Sequence, residues 1–142
     1  MIHQISAFVE NQQGRLSEIT GALAGRGINI RAFTIADTTD FGILRLIVDN
    51  PDQAVEALRA VNVTVTKTEV LAVRLEDTPG SMHKVLDALR KDGISVEYAY
   101  AFVSGKTGGA YVVLRTESPP QAAEALAGRG FVLLTAADLT GV

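Results

Sequence analysis

Apolar residues alternate with polar ones at Ile5, Ala7 and Val9, a period of two that predicts a strand with one buried face. The polar stretch ENQQG closes that run. From Gly14 the apolar spacing changes to Leu16, Ile19 and Leu23, the step of an amphipathic helix. Gly27 then stands where a residue past a helix end must take a left-handed conformation, which glycine adopts without steric cost. Two β-prone runs follow, roughly residues 29–37 and 43–49, joined by a turn at TTDFG. Pro51 opens a second helix carrying Ala54, Val55 and Leu58, because a missing N–H costs nothing at the first helical position. A last strand is expected near residues 61–66.

The same order then runs a second time. Gly14 and Gly80 are 66 residues apart, as are Gly27 and Gly93. Between them GRLSEITGALAGRGINI matches GSMHKVLDALRKDGISV, with Leu16/Met82, Leu23/Leu89 and Ile28/Ile94 at the same offset. Leu71, Val73 and Leu75 alternate as the strand of the second copy, EDTPG replaces ENQQG, and Met82, Val85, Leu86 and Leu89 form the helix stripe. Strands are expected at residues 95–103 and 110–116, joined by the longer turn SGKTGG. Pro119 or Pro120 opens the next helix, with Ala122, Ala123 and Leu126 on its apolar side, and a strand is expected near residues 131–135.

The order βαββαβ, twice, defines an α+β chain of two ferredoxin-like modules in tandem, residues 1–67 and 68–142, each an antiparallel sheet with helices on one face. Simple alternation from Ile5 and Ile30 puts Phe8, Phe33 and Ile35 on the face away from the helices. Two readings stand for them: a surface that packs on another sheet, or scattered surface apolars.

Composition narrows the chemistry. The formal charge of −3 argues against a nucleic-acid partner, which wants a basic surface. Without cysteine there are no thiolate metal sites, disulfides or thiol nucleophiles, and a reducing compartment suits the chain. The start MIHQISAFVENQQG has neither the basic region nor the apolar core of a signal peptide, and no apolar run is long enough to span a bilayer. The expectation is a cytoplasmic protein with no membrane partner. Catalysis is not expected. His83 and Ser81 lie two apart on a helix and point to different sides, and His3 and His83 give no metal-ligand spacing. SGKTGG lacks the first glycine of a phosphate loop, where Tyr100 stands. Tyr98, Tyr100 and Phe102 alternate beside acidic Glu97, a pattern of sheet core before it is one of base stacking.

ENQQGRLSEITGALAGRGINI and EDTPGSMHKVLDALRKDGISV resemble the ACT domain family, small regulatory modules that bind amino acids. Both carry a strand-end Asn or Asp, a turn glycine, a helix and a Gly-Ile entering the next strand. The first copy is similar to the amino-terminal module of acetolactate synthase regulatory subunits. The copies differ at Gln13 against Pro79 and at Asn11 against Asp77, so their sites need not bind alike.

The turn before each first helix is the candidate site on physical grounds. A helix N-terminus offers unpaired N–H groups and a positive dipole end, which suit a carboxylate. Gly14 and Gly80 allow close approach to the backbone, and Arg15, Leu16, Ser81 and Met82 supply the first amides. Asn11 and Asp77 either meet the ligand or bond their own turn, and Pro79 of the second loop is counted among the candidate ligand-binding residues. The resemblance implies ligands between the loop of one module and the second strand of its neighbour. Residues 11–16 would then face Ser95, Val96 and Glu97, and residues 77–82 would face Asn29, Ile30 and Arg31. There Glu97 could offset an ammonium and Arg31 a carboxylate, or both could be plain surface charges. No cofactor is implied. Two functions follow: a free-standing amino-acid sensor, forming at least a homodimer, or a regulatory subunit that docks on a biosynthetic enzyme such as acetolactate synthase. With no segment left over after two modules, the sensor is favoured.

Overall fold

The computed structural model describes residues 1–37, 40–103 and 109–141. The chain forms two compact units, one of His3–Thr68 and one of Met1–Ile2 with Glu69–Val142. Each has the ferredoxin-like plan that the sequence predicts.

In the first unit the strands β1 (Ile2–Glu10), β2 (Ile30–Asp37) and β3 (Phe41–Val48) pair antiparallel, with β3 between the other two. On the far side of β1, the Phe8 N–H donates to the Thr64 carbonyl at 3.0 Å, just before β4 (Val65–Leu75) begins. Helices α1 (Arg15–Ala24) and α2 (Pro51–Ala60) cover one face. Their buried Ile19, Leu23, Ala54, Ala57 and Leu58 meet Ile5, Ala7, Val9, Leu44, Leu46 and Val48 of the sheet. Full burial of a side chain such as Leu23 or Leu58 stabilises by about 1.5–3 kcal/mol, so this stripe dominates the unit's stability. The Asn50 side chain caps α2 by accepting from the Gln53 N–H at 3.2 Å, with Pro51 at the first helical position.

The second unit repeats the plan with β4, β5 (Val96–Val103) and β6 (Ala110–Thr116), β6 pairing with both others. Helices α3 (Ser81–Lys91) and α4 (Pro119–Gly128) bury Val85, Leu89, Ala122 and Leu126 against Leu71, Val73, Val112 and Leu114. Pro119, rather than Pro120, opens α4. Two expectations change. The strand runs near residues 61–66 and at Leu71–Leu75 belong to one continuous β4, since no glycine or proline interrupts residues 65–75. The strand expected at residues 131–135 shrinks to a single bridge, Leu133 to Val73, flanked by Arg74 N–H to Val132 O and Leu134 N–H to Ala72 O, both 2.8 Å. A short α5 (Ala136–Gly141) starts there instead, because the Asp138 carboxylate accepts from the Thr135 N–H at 2.8 Å and turns the chain away from the sheet. Most of the SGKTGG turn, and Thr38 and Thr39 of TTDFG, lie outside the described residues.

The faces of β2 also differ from simple alternation. Ile30 pairs with Val48 but Ala32 with Ile47, so β2 uses two steps where β3 uses one. This β-bulge at Arg31 reverses the alternation beyond it. Phe33 then pairs with Leu46 and Ile35 with Leu44, both core residues, so Phe33 and Ile35 lie on the helix side. Phe8 pairs with Ile43 and lies on the opposite face. The second unit has the same bulge at Glu97, between Val96/Thr116 and Tyr98/Arg115. There Tyr98, Tyr100 and Phe102 share the face away from the helices, and Phe102 is buried against the Tyr111 ring with centroids 5.3 Å apart.

All four long helices end alike. Gly27, Asn62, Gly93 and Gly130 have positive φ, and the next residue (Ile28, Val63, Ile94 or Phe131) donates to a leucine carbonyl (Leu23, Leu58, Leu89 or Leu126) at 2.9–3.1 Å. This satisfies carbonyls left over at each helix end and drives an apolar residue back onto the last turn. Asn62, at φ 61°, is the one non-glycine of the set. We expect Gly93→Ala to destabilise by about 1–2 kcal/mol and Asn62→Gly to be neutral or slightly stabilising, both read from urea denaturation midpoints. Equal losses from both variants would show that backbone conformation does not set these ends.

Candidate functional site

Each β1–α1-type loop is a type II turn. Gly14 has φ 84° and ψ −5°, Gly80 φ 88° and ψ −3°. The Arg15 N–H donates to Gln12 O and the Ser81 N–H to Thr78 O, both at 3.3 Å. Position three of such a turn requires positive φ, so glycine is dictated by conformation. A Cβ built at either position meets nothing within 4 Å, so the space above both glycines is open. The Arg15 and Ser81 amides, expected at the ligand, close the turn. Leu16 and Ser17, or Met82 and His83, are then the next N–H groups without an intrahelical acceptor, since the first helical bonds run from Glu18 to Gly14 and from Lys84 to Gly80.

Asn11 and Asp77 are exposed at the strand ends, and the Asn11 N–H donates to Asp40 O at 3.2 Å. Arg15 pairs with Glu18 at 2.8 Å on its own helix. The Ser81 hydroxyl donates to Thr78 O at 3.0 Å. Asn29 is tied to the end of β3: its N–H donates to the Asp49 carboxylate at 3.1 Å, and its carbonyl accepts from the Asp49 N–H at 3.2 Å.

Three of the sequence-predicted residues, expected at two separate sites, share one cavity in the first module. Leu16, Ile30 and Arg31 line one cavity of about 430 Å³ on the helix side of β2 and β3. Ser17 and Thr20 of α1, Phe33 and Ile35 of β2, and Leu44 and Leu46 of β3 complete its wall. Leu16, expected in the core stripe, is instead 42% exposed and faces this cavity. Among the described residues Arg31 is the one charged residue that lines it. The Arg31 Nε is buried and has no hydrogen-bond partner among the described residues. Burying such a donor without an acceptor is costly.

The second module diverges at the same positions. Glu97 replaces Arg31 on the bulge and sits 3.7 Å from Arg115. Ala99 and Ala101, paired with Leu114 and Val112, stand where the first module has Phe33 and Ile35. Ser95 and Glu97 line a smaller polar cavity of about 330 Å³ with Glu117, Ser118 and Gln121. Ser81 lines a third cavity. Met82 and Val96 are half-buried against the module core. Asn11, Gly14, Arg15, Asn29, Asp77, Pro79 and Gly80 lie outside these three cavities. Sequence reasoning missed Ser17, Thr20, Phe33, Ile35, Leu44 and Leu46, because the bulge that turns β2 toward α1 leaves no glycine or proline as a signal.

Among the described residues no histidine, aspartate or glutamate cluster could hold a metal, and no helix is long and apolar enough to cross a membrane. A sequence profile of the ACT domain pair matches residues 1–141. The chain belongs to that family. Its fold is shared over nearly the full length with a protein of Bacteroides thetaiotaomicron, at 39% identity, TM-score 0.92, and coverage of 99% of this chain and 96% of the other. The fold is also similar to the ligand-free regulatory subunit of aspartate kinase from Thermus thermophilus (20% identity, TM-score 0.64, coverage 89% and 90%). It is similar again to the aspartokinase alpha and beta subunits (16% identity, TM-score 0.60, coverage 87% and 88%). No curated protein matches the chain.

Within this ACT domain pair the two loops differ at the second turn position, Gln13 against Pro79. That position of a type II turn favours proline, and the first module's turn holds the same shape without it. We expect Gln13→Pro to stabilise the protein by about 0.4–1 kcal/mol by restricting the unfolded chain. A shifted urea midpoint at constant slope checks this; destabilisation would show that the loops do not share one geometry.

Proposed function

We propose that the protein is a non-catalytic regulatory protein that binds a free amino acid in the cavity of its first module. The observation that carries this reading is Arg31: a guanidinium with a buried, unpartnered Nε in an otherwise uncharged wall, beside the first turn of α1. A ligand carboxylate there would gain a charge-assisted hydrogen bond from Arg31 and lie near the Leu16 and Ser17 amides. The apolar side chains of Phe33, Ile35, Leu44 and Leu46 suit a ligand with an apolar side chain. Asn11, Asp77 and the turn glycines then shape the loops rather than grip the ligand. In the second module Glu97 replaces the guanidinium and lies beside Arg115, so carboxylate binding is assigned to the first module. Binding acts on a target by favouring one conformation or assembly over another. The reading places the protein in the cytoplasm as a homodimer without cofactor.

A second reading, a regulatory subunit that docks on an amino-acid biosynthetic enzyme, is supported by Phe8, which is 52% exposed on the sheet face away from the helices. Structural neighbours named as regulatory subunits of aspartate kinase lend it further support.

A thermal-unfolding screen against the twenty amino acids separates the two. A ligand at a hundred times its dissociation constant stabilises the native state by about 2.7 kcal/mol, a rise of several degrees. The shift is expected with an apolar amino acid, to vanish in Arg31→Ala, and to persist in Glu97→Ala. Loss in Glu97→Ala with retention in Arg31→Ala would move the site to the second module. No shift with any amino acid would favour the docking subunit.

A further inference from the structure

We propose that Thr20 is the residue by which the first module's cavity tells an amino acid from the same carboxylate without its amino group, its hydroxyl oxygen accepting from the ligand's ammonium. The inference rests on the amino-acid site proposed for this cavity, in which Arg31 holds the carboxylate and Phe33, Ile35, Leu44 and Leu46 take the apolar side chain. Those contacts alone would serve any apolar carboxylate. An amino acid also brings a cation, and among the described residues that line the cavity none is acidic.

Thr20 lines the cavity from α1, one turn beyond Leu16 on the same side of the helix. Its Oγ1 donates to the Leu16 carbonyl at 3.0 Å and lies 3.2 Å from the Ser17 carbonyl. A threonine inside a helix commonly bonds back to its own turn in this way. The hydroxyl hydrogen is thereby committed to the helix, and only lone pairs remain for a ligand. Thr20 is therefore an acceptor, suited to an ammonium and unsuited to a carboxylate. Arg31 is the converse, a donor without acceptor capacity. Burial separates the two as well: the Arg31 Nε is buried, whereas Thr20 is exposed. An ammonium at Thr20 keeps water on its remaining hydrogens, so it needs no carboxylate partner to offset desolvation.

The repeat sets the same two positions apart. Of the polar lining residues Ser17, Thr20 and Arg31, the first is matched at the repeat's offset by His83, still polar. Arg31 is matched by Glu97, and Thr20 by Leu86, which is 38% exposed at the same place on α3. The module without the guanidinium thus also lacks the hydroxyl. Helix stability does not ask for threonine at position 20, since leucine has the higher helix propensity and an exposed helix site accepts either.

The test is calorimetric titration of the full chain with leucine and phenylalanine, each beside the same acid without its amino group, isocaproate and hydrocinnamate. The wild type should bind the amino acid about tenfold or more tightly than its amine-free partner. Thr20→Val keeps the shape and drops the hydroxyl, so the amino acid should weaken by that factor while the amine-free acid is unchanged. Thr20→Ser keeps a hydroxyl and should keep the preference. Arg31→Ala should abolish binding of both. A wild type without the preference, its retention in Thr20→Val, or equal weakening of both acids there would overturn the role of Thr20 and leave the site at Arg31 standing. No binding of either pair by the wild type, or binding untouched by Arg31→Ala, would overturn both.

Discussion

One extra residue in a strand governs which side chains line the first module's cavity. The bulge at Arg31 makes β2 take two steps against one of β3, and everything beyond it changes face. Without it Phe33 and Ile35 would lie away from the helices and Arg31 would not line the cavity. With it, an apolar strip and one guanidinium meet the first turn of α1 in a single pocket. Helix α1 fixes the other wall, since the left-handed Gly27 after it sends the chain directly into β2.

The duplication keeps these backbone devices and changes the side chains they present. The type II turn at Gly14 recurs at Gly80, the bulge at Arg31 recurs at Glu97, and the four helix endings share one hydrogen-bond pattern. On that common frame Arg31 becomes Glu97, Phe33 becomes Ala99, and Glu18 becomes Lys84. Two modules with one backbone thus offer different chemistry: an apolar cavity with a cation in one, a polar cavity with Glu97 in the other. Backbone conformation fixes the fold and leaves the exposed wall of each pocket to vary.

The features legible in the sequence were those with a local cause. Alternation at Ile5, Ala7 and Val9, the helix stripe of Ile19 and Leu23, the prolines at helix starts and Gly27 and Gly93 at helix ends each act within a few residues. What escaped depends on pairing between distant segments. The bulge is a register relation between β2 and β3, so alternation alone put Phe33 and Ile35 on the wrong face. Asn62 does the work of a glycine, so the start of β4 was read too early. The Thr135–Asp138 cap that begins α5 is a two-residue signal in a stretch that otherwise reads as a strand. Of the cavity's lining, Leu16, Ile30 and Arg31 are named from the sequence, but for two separate sites, Leu16 opposite residues 95–97 and the other two opposite residues 77–82, while the strand residues that complete the wall need the register.

The central claim is that the bulge makes the first module, and not the second, the place where an amino-acid carboxylate binds. Chemical-shift mapping of the nitrogen-15-labelled protein, titrated with the amino acid that raises its melting temperature most, tests it directly. The account predicts shifts concentrated at Leu16, Ser17, Thr20, Arg31 and Phe33, including the Arg31 side-chain Nε–H, with Met82, His83 and Glu97 unmoved. Equal perturbation at Met82 and Glu97, or an unchanged Arg31 Nε–H at saturation, would contradict it.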